Sequence, residues 1–447
     1  MMRRDALATD FMRDVEARNP HQPEFTQAVR EVVEDVITIE KAHADYSAAR
    51  VLDRLSEPDR IVSFRVTWQD DKGGIQINRG WRVQYSNAIG PYKGGLRFHP
   101  TVSPSVLKFL GFEQVFKNAL TGLPLGGAKG GSDFDPRGRS EAEIMRFCQA
   151  FMQRLAPFIG PNTDIPAGDI NVGTREIGWM FAAYKAYSQE FTGALTGKGR
   201  SFGGSEVRVE ATGYGLIYFV AAMLGQHDQS IEDKRVAISG KGNVAVHAAE
   251  KALIEGARVI TLSDTAGTLV APDGLSQEAI DWVRARKAAG DDIAAPPKHL
   301  GARFHENETP WEQDVDIALP CATQNEVDEA AVKTLIDNGV SVIAEGANMP
   351  LTSEAQARLA DTDILYAPGK AANAGGVAVS GLEMSQNSHR QFDSSAEVDE
   401  ALKRIMRQIH AVTYEEGRSS GRVNYARGAN IAAFRKVADA ITAMGAI

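Results

Sequence analysis

The 447-residue sequence predicts an α/β fold of two domains, and three observations lead to this prediction. The first part of the chain combines amphipathic helices with strands of alternating hydrophobicity. From Arg235 onward, short apolar runs alternate with helical segments, as they do in doubly wound sheets. Between the two parts, the segment Thr192–Ser205 is rich in Gly, Ser and Thr, which indicates a linker or hinge.

Composition limits the possible functions. The apolar fraction of 43% is usual for a globular protein, and the net charge of −9 argues against nucleic acid as the main partner. The longest apolar run, Leu216–Leu224, is too short to span a bilayer, and the first residues lack the apolar segment of a signal peptide. Two distant cysteines, Cys148 and Cys321, fit a reducing, cytoplasmic location, and the nine histidines show no metal-binding pattern.

Residues 1–60 are predicted to be helical. Apolar residues recur at helical spacing from Phe25 to Ile37, and a second helix should end before Pro58. We expect these helices to serve packing or oligomer contacts. The period then changes to two, over Val62–Trp68 and Ile75–Tyr85, which predicts a β-hairpin around a DDKGG turn.

Two glycine-rich stretches that each contain a lysine follow the hairpin. In GPYKGG, Lys93 is predicted to lie in a turn, and in LPLGGAKGGSDFDP, Lys129 is predicted to lie in a loop among closely spaced glycines. A lysine that such a loop shields from water has a lowered pKa and can act as a base or nucleophile. The simpler alternative is a turn that carries a solvated lysine.

The helix predicted over Pro104–Thr121 places Gln114 and Lys117 on one face, just before the Lys129 stretch. Three lysines on neighbouring segments indicate a substrate with carboxylates or phosphates. After a helix from Glu141, the aspartates Asp164 and Asp169 fall in a loop rich in Gly and Pro, where a carboxylate often serves only a turn or a helix cap.

The second domain opens with a dinucleotide-binding pattern. A strand from Arg235 to Ser239 leads into Gly240-Lys241-Gly242-Asn243-Val244-Ala245, then a helix, and then a strand that ends at Asp264. A plain βαβ unit is the alternative. The polar loops ALPCATQNE, EGANMP and KAANAGG follow later strands, at the ends where such sheets bind ligands. Helices with an interruption at RGANIAAF are expected from Ser395 to Met444.

Along nearly its whole length, the chain resembles the hexameric glutamate dehydrogenases of the short bacterial type. The resemblance rests on seven motifs in the family's order: PYKGGLRFHP, LPLGGAKGGSDFDP, EATGYG, GKGNVA, PCATQNE, EGANMP and NAGGVAVSGLEMSQN. It implies a substrate and assembly domain (residues 1–202 plus 425–447), a Rossmann-type domain (203–424) and an active site in the cleft between them. It also implies a homohexamer that interconverts L-glutamate with 2-oxoglutarate and ammonium, passing a hydride to NADP.

The resemblance also implies roles for individual residues. Lys129 matches the lysine that activates water to attack the iminium carbon, and Asp169 matches the acid that moves a proton at the amino nitrogen. Substrate contacts fall on Lys93 and Ser380 for the side-chain carboxylate, on Gln114 and Lys117 for the α-carboxylate, and on Gly168 and Asn373. Together with the glycine motif, it predicts coenzyme contacts at Thr212, Gly240, Gly242, Asn243, Val244, Asp264 and Asn348. The chain departs from the pattern at Val209, where relatives often have proline.

The choice of coenzyme is left open between NADP and NAD. A carboxylate at Asp264 often binds the ribose hydroxyl of NAD. The SDTAG sequence that contains it resembles the NADP-specific branch instead. Lys241 adds a positive charge beside the phosphate loop, and we expect Arg286 and Lys287 to reach a 2′-phosphate. The sequence therefore favours NADP.

Two further alternatives concern the reaction itself. A dehydrogenase for leucine, valine or phenylalanine is disfavoured by Lys93 and Ser380, because a lysine facing an apolar side chain is an unpaired buried charge. A catalytically silent dinucleotide-binding protein is disfavoured because Lys117, Lys129 and Asp169 are all present. For an active enzyme, we expect closure about Thr192–Ser205 to exclude water.

Overall fold

The computed structural model describes residues 2–360, 362–419 and 421–446. Contacts within the chain divide it into two compact units. The first unit is Met1–Glu206, Ser380–Val398 and Asn430–Ile447, and the second is Val207–Val379 and Asp399–Ala429. No helix in the described part of the chain combines the length and the apolar character needed to cross a membrane.

The first unit begins with four helices, and this helical region ends before Pro58, as predicted. One five-stranded sheet then forms its centre, with helices between the strands. In chain order the elements are α1 (Met2–Arg18), α2 (Pro23–Ala42), α3 (Ala44–Ala49), α4 (Val51–Leu55), β1 (Arg60–Gln69), β2 (Ile75–Ser86), β3 (Tyr92–Phe98), α5 (Pro104–Leu120), β4 (Gly127–Ser132), α6 (Glu141–Leu155), β5 (Asp164–Gly168) and α7 (Thr174–Ser188).

The sheet of this unit has the strand order β1-β2-β4-β3-β5. Strands β1 and β2 form the predicted antiparallel hairpin, β4 runs antiparallel to β2, and β3 runs parallel to both β4 and β5. An aromatic cluster packs one side of it, with Phe134 and Phe147 stacked at a centroid distance of 3.8 Å and Phe98 edge-on to both. The order puts Lys129 of β4 and Lys93 of β3 on adjacent central strands.

The predictions of a turn at Lys93 and of loops at Lys129 and Asp164 are wrong, because all three residues lie in strands. The glycines of β3 and β4 permit close packing rather than turns. A Cβ on Gly94 would lie 1.7 Å from the Ala128 carbonyl oxygen, and a Cβ on Gly127 would lie 2.3 Å from a Val115 methyl group. The missing side chains therefore let β3, β4 and α5 approach one another.

A buried ion pair crosses this sheet. Arg82 of β2 donates from Nε and Nη2 to the two carboxylate oxygens of Asp164 at 2.9 and 2.5 Å, and neither side chain is exposed. On the way, its Nη1 donates to the Gly94 carbonyl at 3.1 Å. A Cβ on Gly130 would lie 2.9 Å from Arg82 Cδ, so the glycine of β4 leaves room for the arginine. The pair thus joins β2, β3 and β5.

The second unit is built on a parallel sheet of order β13-β12-β11-β6-β7, as expected for a doubly wound fold. A separate three-stranded antiparallel sheet has the order β10-β9-β8. The elements are α8 (Ala211–Gly225), β6 (Arg235–Ile238), α9 (Asn243–Ile254), β7 (Arg258–Val259), β8 (Thr261–Asp264), β9 (Gly267–Val270), α10 (Gln277–Ala289), β10 (Arg303–Glu306), β11 (Ile317–Leu319), α11 (Glu329–Asp337), β12 (Val342–Ala344), α12 (Ser353–Leu359), β13 (Leu365–Ala367) and α13 (Gly369–Ala372).

Two details differ from prediction. The strand expected to end at Asp264 is split at Ile260, because β7 pairs with β6 whereas β8 pairs with β9 in the other sheet. The C-terminal helices are interrupted by a short hairpin and not at RGANIAAF, which lies inside the last helix. These elements are α14 (Gly375–His389), α15 (Ser395–Gly417), β14 (Arg418–Ser419), β15 (Arg422–Val423) and α16 (Tyr425–Met444).

Candidate active site

A buried lysine–aspartate pair lies at the centre of the first unit. Lys129 points from the middle of β4, and Asp169 directly follows the last residue of β5, Gly168. Lys129 Nζ donates to Asp169 Oδ1 at 3.0 Å, and only 6% of the lysine side chain is exposed. The structure therefore brings together the two residues to which the resemblance assigns the chemistry.

A third charged group, absent from the sequence prediction, completes this arrangement. Arg97 of β3 donates from Nε to Asp169 Oδ2 at 2.7 Å, so each carboxylate oxygen accepts from a different cation. Arg97 belongs to the PYKGGLRFHP motif, but neither the lysine and glycines of this motif nor the family resemblance predicts a role for it. Arg97 comes four residues after Lys93, and no local pattern marks it.

The charges of this group explain its protonation. Burial lowers the pKa of Lys129 below its ordinary value of 10.5; the negative charge of Asp169 opposes this, and the cations Arg97 and Arg82 add to the lowering. Burial alone favours the neutral acid at Asp169, but the charges of Lys129 and Arg97 outweigh it and hold the pKa of that carboxyl well below its usual range. A lysine that can lose its proton thus lies beside a carboxylate that stays ionised.

The predicted substrate residues of β3 and α5 are connected through one asparagine. Lys93 is buried on β3, and its backbone carbonyl accepts from Asn118 Nδ2 at 3.1 Å. Gln114 Nε2 donates to Asn118 Oδ1 at 2.7 Å, which ties the Gln114 side chain to the same residue. Lys117 is half-buried on α5, one turn after Gln114.

Ser380 is buried in α14 and belongs to the first unit. One turn later, Glu383 accepts from Lys198 Nζ at 2.7 Å and from the Gly197 amide at 2.9 Å, and it is fully buried. This ion pair fixes the turn that carries Thr196, whose amide donates to the Pro166 carbonyl of β5 at 3.0 Å. Glu383 and Lys198 therefore anchor both Ser380 and Thr196.

Thr196 is a candidate that the sequence prediction missed. Its residue is fully buried, and within the described ranges its hydroxyl has no hydrogen-bond partner. A buried hydroxyl without a partner costs free energy, which a ligand oxygen could recover. In the sequence, Thr196 lies in a segment rich in threonine and glycine, and this composition predicts a hinge rather than a binding site.

In the second unit, the glycine motif opens α9. Gly240 has φ of +88°, a left-handed conformation that favours glycine, and its amide donates to Ser263 Oγ at 2.8 Å. Gly242 caps α9 without a side-chain hydrogen bond, and a Cβ there would meet no atom within 4 Å. Helix amides that face open space suit a pyrophosphate, so Gly240, Gly242, Asn243 and Val244 fit a dinucleotide.

Asp264 accepts three hydrogen bonds from the protein itself. Its Oδ2 accepts from Lys241 Nζ at 2.8 Å and from the Ile293 amide at 3.1 Å, while Oδ1 accepts from the Ala266 amide at 2.9 Å. Although burial opposes it, these hydrogen bonds keep the pKa of Asp264 below its ordinary value. Asp264 therefore remains a carboxylate whose charge Lys241 neutralises.

A cavity of about 480 Å³ lies beside the start of α9. Its lining includes Asn243 and Lys287, and Lys287 Nζ donates to Asn243 Oδ1. Burial lowers the pKa of Lys287. Lys287 of α10 is therefore bound to the first residue of α9, the helix that is predicted to bind the coenzyme.

The remaining predicted coenzyme and substrate residues of this unit are Asn348 and Asn373, which follow β12 and β13, and Thr212 at the start of α8. Asn373 donates from Nδ2 to Asn348 Oδ1 at 3.1 Å and to the Ala347 carbonyl at 3.0 Å. Thr212 lies in the first turn of α8, and a Cβ on Gly376 would lie 2.7 Å from its hydroxyl. Over residues 2–360, 362–419 and 421–446, no group of three His, Cys, Asp or Glu side chains could hold a metal ion.

Comparison with protein families places both parts of the chain. Residues 203–445 match the glutamate/leucine/phenylalanine/valine dehydrogenase model, and residues 58–186 match the Glu/Leu/Phe/Val dehydrogenase dimerisation domain. The two matches include the strands that carry Lys93 and Lys129, the residue Asp169 that follows β5, and the glycine motif.

Individual relatives are similar over nearly their whole length. The NADP-specific glutamate dehydrogenase of Psychrobacter sp. (strain TAD1) is 55% identical over 436 residues, covering 96% of this chain and 97% of the relative. The NAD-specific glutamate dehydrogenase of Bacteroides fragilis (strain YCH46) is 54% identical over 440 residues, covering 98% and 99%. The crystal structure of Plasmodium falciparum glutamate dehydrogenase aligns with a TM-score of 0.96 at 45% identity, covering 99% of this chain and 96% of that one.

Proposed function

Because this chain belongs to the glutamate/leucine/phenylalanine/valine dehydrogenase family, we propose that it catalyses the reversible oxidative deamination of L-glutamate to 2-oxoglutarate and ammonium with NADP. The observation that carries the proposal is the buried pair of Lys129 on β4 and Asp169 directly after β5. A dry lysine with a lowered pKa beside an ionised carboxylate suits a reaction that activates water and moves a proton on nitrogen.

Each residue of the pair has its own step. Neutral Lys129 takes a proton from water as the water attacks the iminium carbon, and Asp169 moves the proton at the amino nitrogen. The coenzyme, when bound, supplies the hydride acceptor. The proposed reaction needs both units, because the proposed base lies in the first unit and the proposed coenzyme residues lie in the second.

The preference for glutamate rests on Lys93. This lysine is only 1% exposed, and a buried ammonium group favours a substrate that brings a carboxylate to it. We assign the side-chain carboxylate to Lys93, Ser380 and Thr196, and the α-carboxylate to Gln114 and Lys117. An apolar substrate side chain would bring no carboxylate to the buried Lys93 ammonium group, which disfavours leucine, valine and phenylalanine.

The preference for NADP rests on Asp264 and two lysines. Both oxygens of Asp264 already accept hydrogen bonds from the protein, which leaves this carboxylate less acceptor capacity for the ribose hydroxyl that it often binds in NAD. Lys241 cancels its charge, and Lys287 adds a cation at the start of α9. The NADP-specific relative from Psychrobacter sp. and the NAD-specific relative from Bacteroides fragilis are 55% and 54% identical to this chain, so identity alone does not decide between them and the argument depends on these residues.

The proposal extends to the domains, the assembly and the location. We assign residues 1–202 plus 425–447 to substrate binding and oligomerisation, and 203–424 to the dinucleotide, although Ser380–Val398 of the latter range belong to the first compact unit. We further propose a homohexamer, which sedimentation analysis would test, and closure about Thr192–Ser205 during turnover. Two buried cysteines without a disulfide support a reducing, cytoplasmic location.

Steady-state kinetics test the proposed function directly. The purified enzyme is assayed with glutamate, leucine, valine and phenylalanine, each with NADP and with NAD, and kcat/KM is expected to be highest for glutamate with NADP. Lys129→Ala should abolish turnover while leaving NADPH binding, followed by fluorescence, in place. Turnover with none of the amino acids, or an active Lys129→Ala, would contradict the proposal.

The substrate assignment has its own test. Lys93→Leu combined with Ser380→Val should shift the preference from glutamate toward apolar amino acids. An unchanged substrate spectrum would remove the argument from the buried lysine.

A further inference from the structure

The carboxylate of Asp169 is held from two sides by different cations. Lys129 Nζ is 3.0 Å from Oδ1, and Arg97 Nε is 2.7 Å from Oδ2. The side chains of Arg97 and Asp169 are each 17% exposed, so water screens these charges weakly. Arg97 reaches Asp169 from β3, the strand between β4 and β5.

The other charged groups of the neighbouring elements do not replace Arg97. Arg82 of β2 is paired with Asp164 through Nε and Nη2, and its Nη1 donates to the Gly94 carbonyl, so this cation already has its own carboxylate partner. Lys93 of β3 and Lys117 of α5 are the cations assigned above to the substrate's carboxylates. Arg97 and Lys129 are therefore the two cations that share the single negative charge of Asp169.

The net charge of the group formed by Arg97, Asp169 and Lys129 depends on the protonation state of Lys129. With Arg97 present, the group of Arg97, Asp169 and Lys129 is neutral overall only when Lys129 has lost its proton. Without Arg97, the remaining pair is neutral only when Lys129 is protonated. Because a buried site disfavours net charge, Arg97 reverses which protonation state of Lys129 is preferred.

We propose that Arg97 is a positioning residue that turns Asp169 toward Lys129 and sets the pH at which Lys129 becomes the base. This inference rests on the proposed function for its catalytic meaning. The effect on Lys129 itself is a property of the free protein.

Competitive labelling with acetic anhydride measures that property without turnover. Acetylation of Lys129 is followed by mass spectrometry as a function of pH, in the wild type and in Arg97→Met, Arg97→Gln and Arg97→Lys. Arg97→Met should move the midpoint for Lys129 upward by roughly 1 pH unit, because the pair with Asp169 is left alone. Arg97→Gln, which keeps an N–H donor but loses the charge, should move it similarly, and Arg97→Lys should stay near the wild type.

The matched control is Arg79→Met on β2. Arg79 also binds an aspartate through Nε, with 3.0 Å to Asp133 Oδ2, but its side chain is 73% exposed and lies outside the group. Its removal should leave the Lys129 midpoint unchanged. If Arg97→Met fails to fold, Arg97→Gln gives the same comparison, and an unshifted midpoint in the folded variant would overturn the proposal.

Kinetics separate this inference from the proposed function. In glutamate oxidation, the acid limb of kcat/KM should follow the labelling midpoints, with Arg97→Lys restoring the wild-type limb. A shifted labelling midpoint in a protein that does not oxidise glutamate would refute the proposed function and leave the role of Arg97 intact. Glutamate oxidation with identical limbs in wild type and Arg97→Gln would refute the role of Arg97 alone.

Discussion

Adding one methyl group at Gly95 should disable the lysine–aspartate pair without breaking the sheet. Gly95 lies in β3 opposite Ala167, in extended backbone that alanine also adopts. A Cβ there would lie 2.8 Å from Asp169 Cβ, 3.0 Å from the Gly168 oxygen and 3.3 Å from Lys129 Nζ. Packed carbon atoms stay about 3.5–4.0 Å apart, so Asp169 must move by roughly 1 Å.

A displacement of about 1 Å at a catalytic group can lower the rate by about 100-fold, and we expect that loss in kcat for Gly95→Ala. The assay is initial-rate glutamate oxidation with NADP, together with the melting temperature. Gly225→Ala in α8 is the matched control, because a Cβ there would meet no atom within 4 Å. If Gly95→Ala folds and keeps kcat within about threefold of the wild type, less than 1 kcal/mol, the geometric argument is refuted.

Three further predictions use other parts of the structure. Thr196→Val removes a buried hydroxyl that lacks a partner, so the melting temperature should rise while KM for 2-oxoglutarate increases by about tenfold; a lower melting temperature with unchanged KM would contradict it. Lys287→Ala should lower kcat/KM for NADP by at least about tenfold and leave NAD nearly unaffected, whereas equal losses would argue against a role at the 2′-phosphate. Burial raises the pKa of Glu345 to about 7 from an ordinary 4.5. Between these two pH values the native state keeps a proton that the unfolded chain has lost, so the free energy of unfolding should fall as the pH rises from 4.5 to about 7. Glu345→Gln should remove up to about 3 kcal/mol of that fall, measured as the difference in urea unfolding from wild type at pH 5 and pH 8; a difference independent of pH would contradict it.

Much of the fold could be predicted because its signals are local. The hairpin of β1 and β2, the helix α5 and the glycine motif before α9 each follow from the spacing of apolar residues or glycines. The strands β3 and β4 could not be predicted from such patterns. Their glycines resemble turn residues in sequence, and only the approach of Ala128 and Val115 explains why they are strands.

The residues of the candidate site also fall into those that a local sequence pattern predicts and those that it does not. Lys129 could be identified because a lysine among closely spaced glycines is unusual. A role for Asp169 follows only from the resemblance to the glutamate dehydrogenases. Arg97 and Thr196 could not be found from the sequence. Arg97 is distinguished by a partner that is distant in sequence, and Thr196 is distinguished by a buried hydroxyl without a hydrogen-bond partner among the described residues. Arg97 meets Asp169 across 72 positions, and nothing near either residue in sequence announces the pair.

Because of the ion pair between Arg82 and Asp164, we expect the strands that surround the candidate site in the first unit to fold cooperatively. Its two residues are 82 positions apart, and the strands that carry Lys93 and Lys129 come between them in sequence. An intermediate that had formed β2, β3 and β4 but not β5 would hold an arginine whose partner is missing, and an unpaired buried charge costs about 3–5 kcal/mol. Partly folded forms with an open site are therefore disfavoured, and the lysine and aspartate should lose their protection from hydrogen exchange together with the whole sheet.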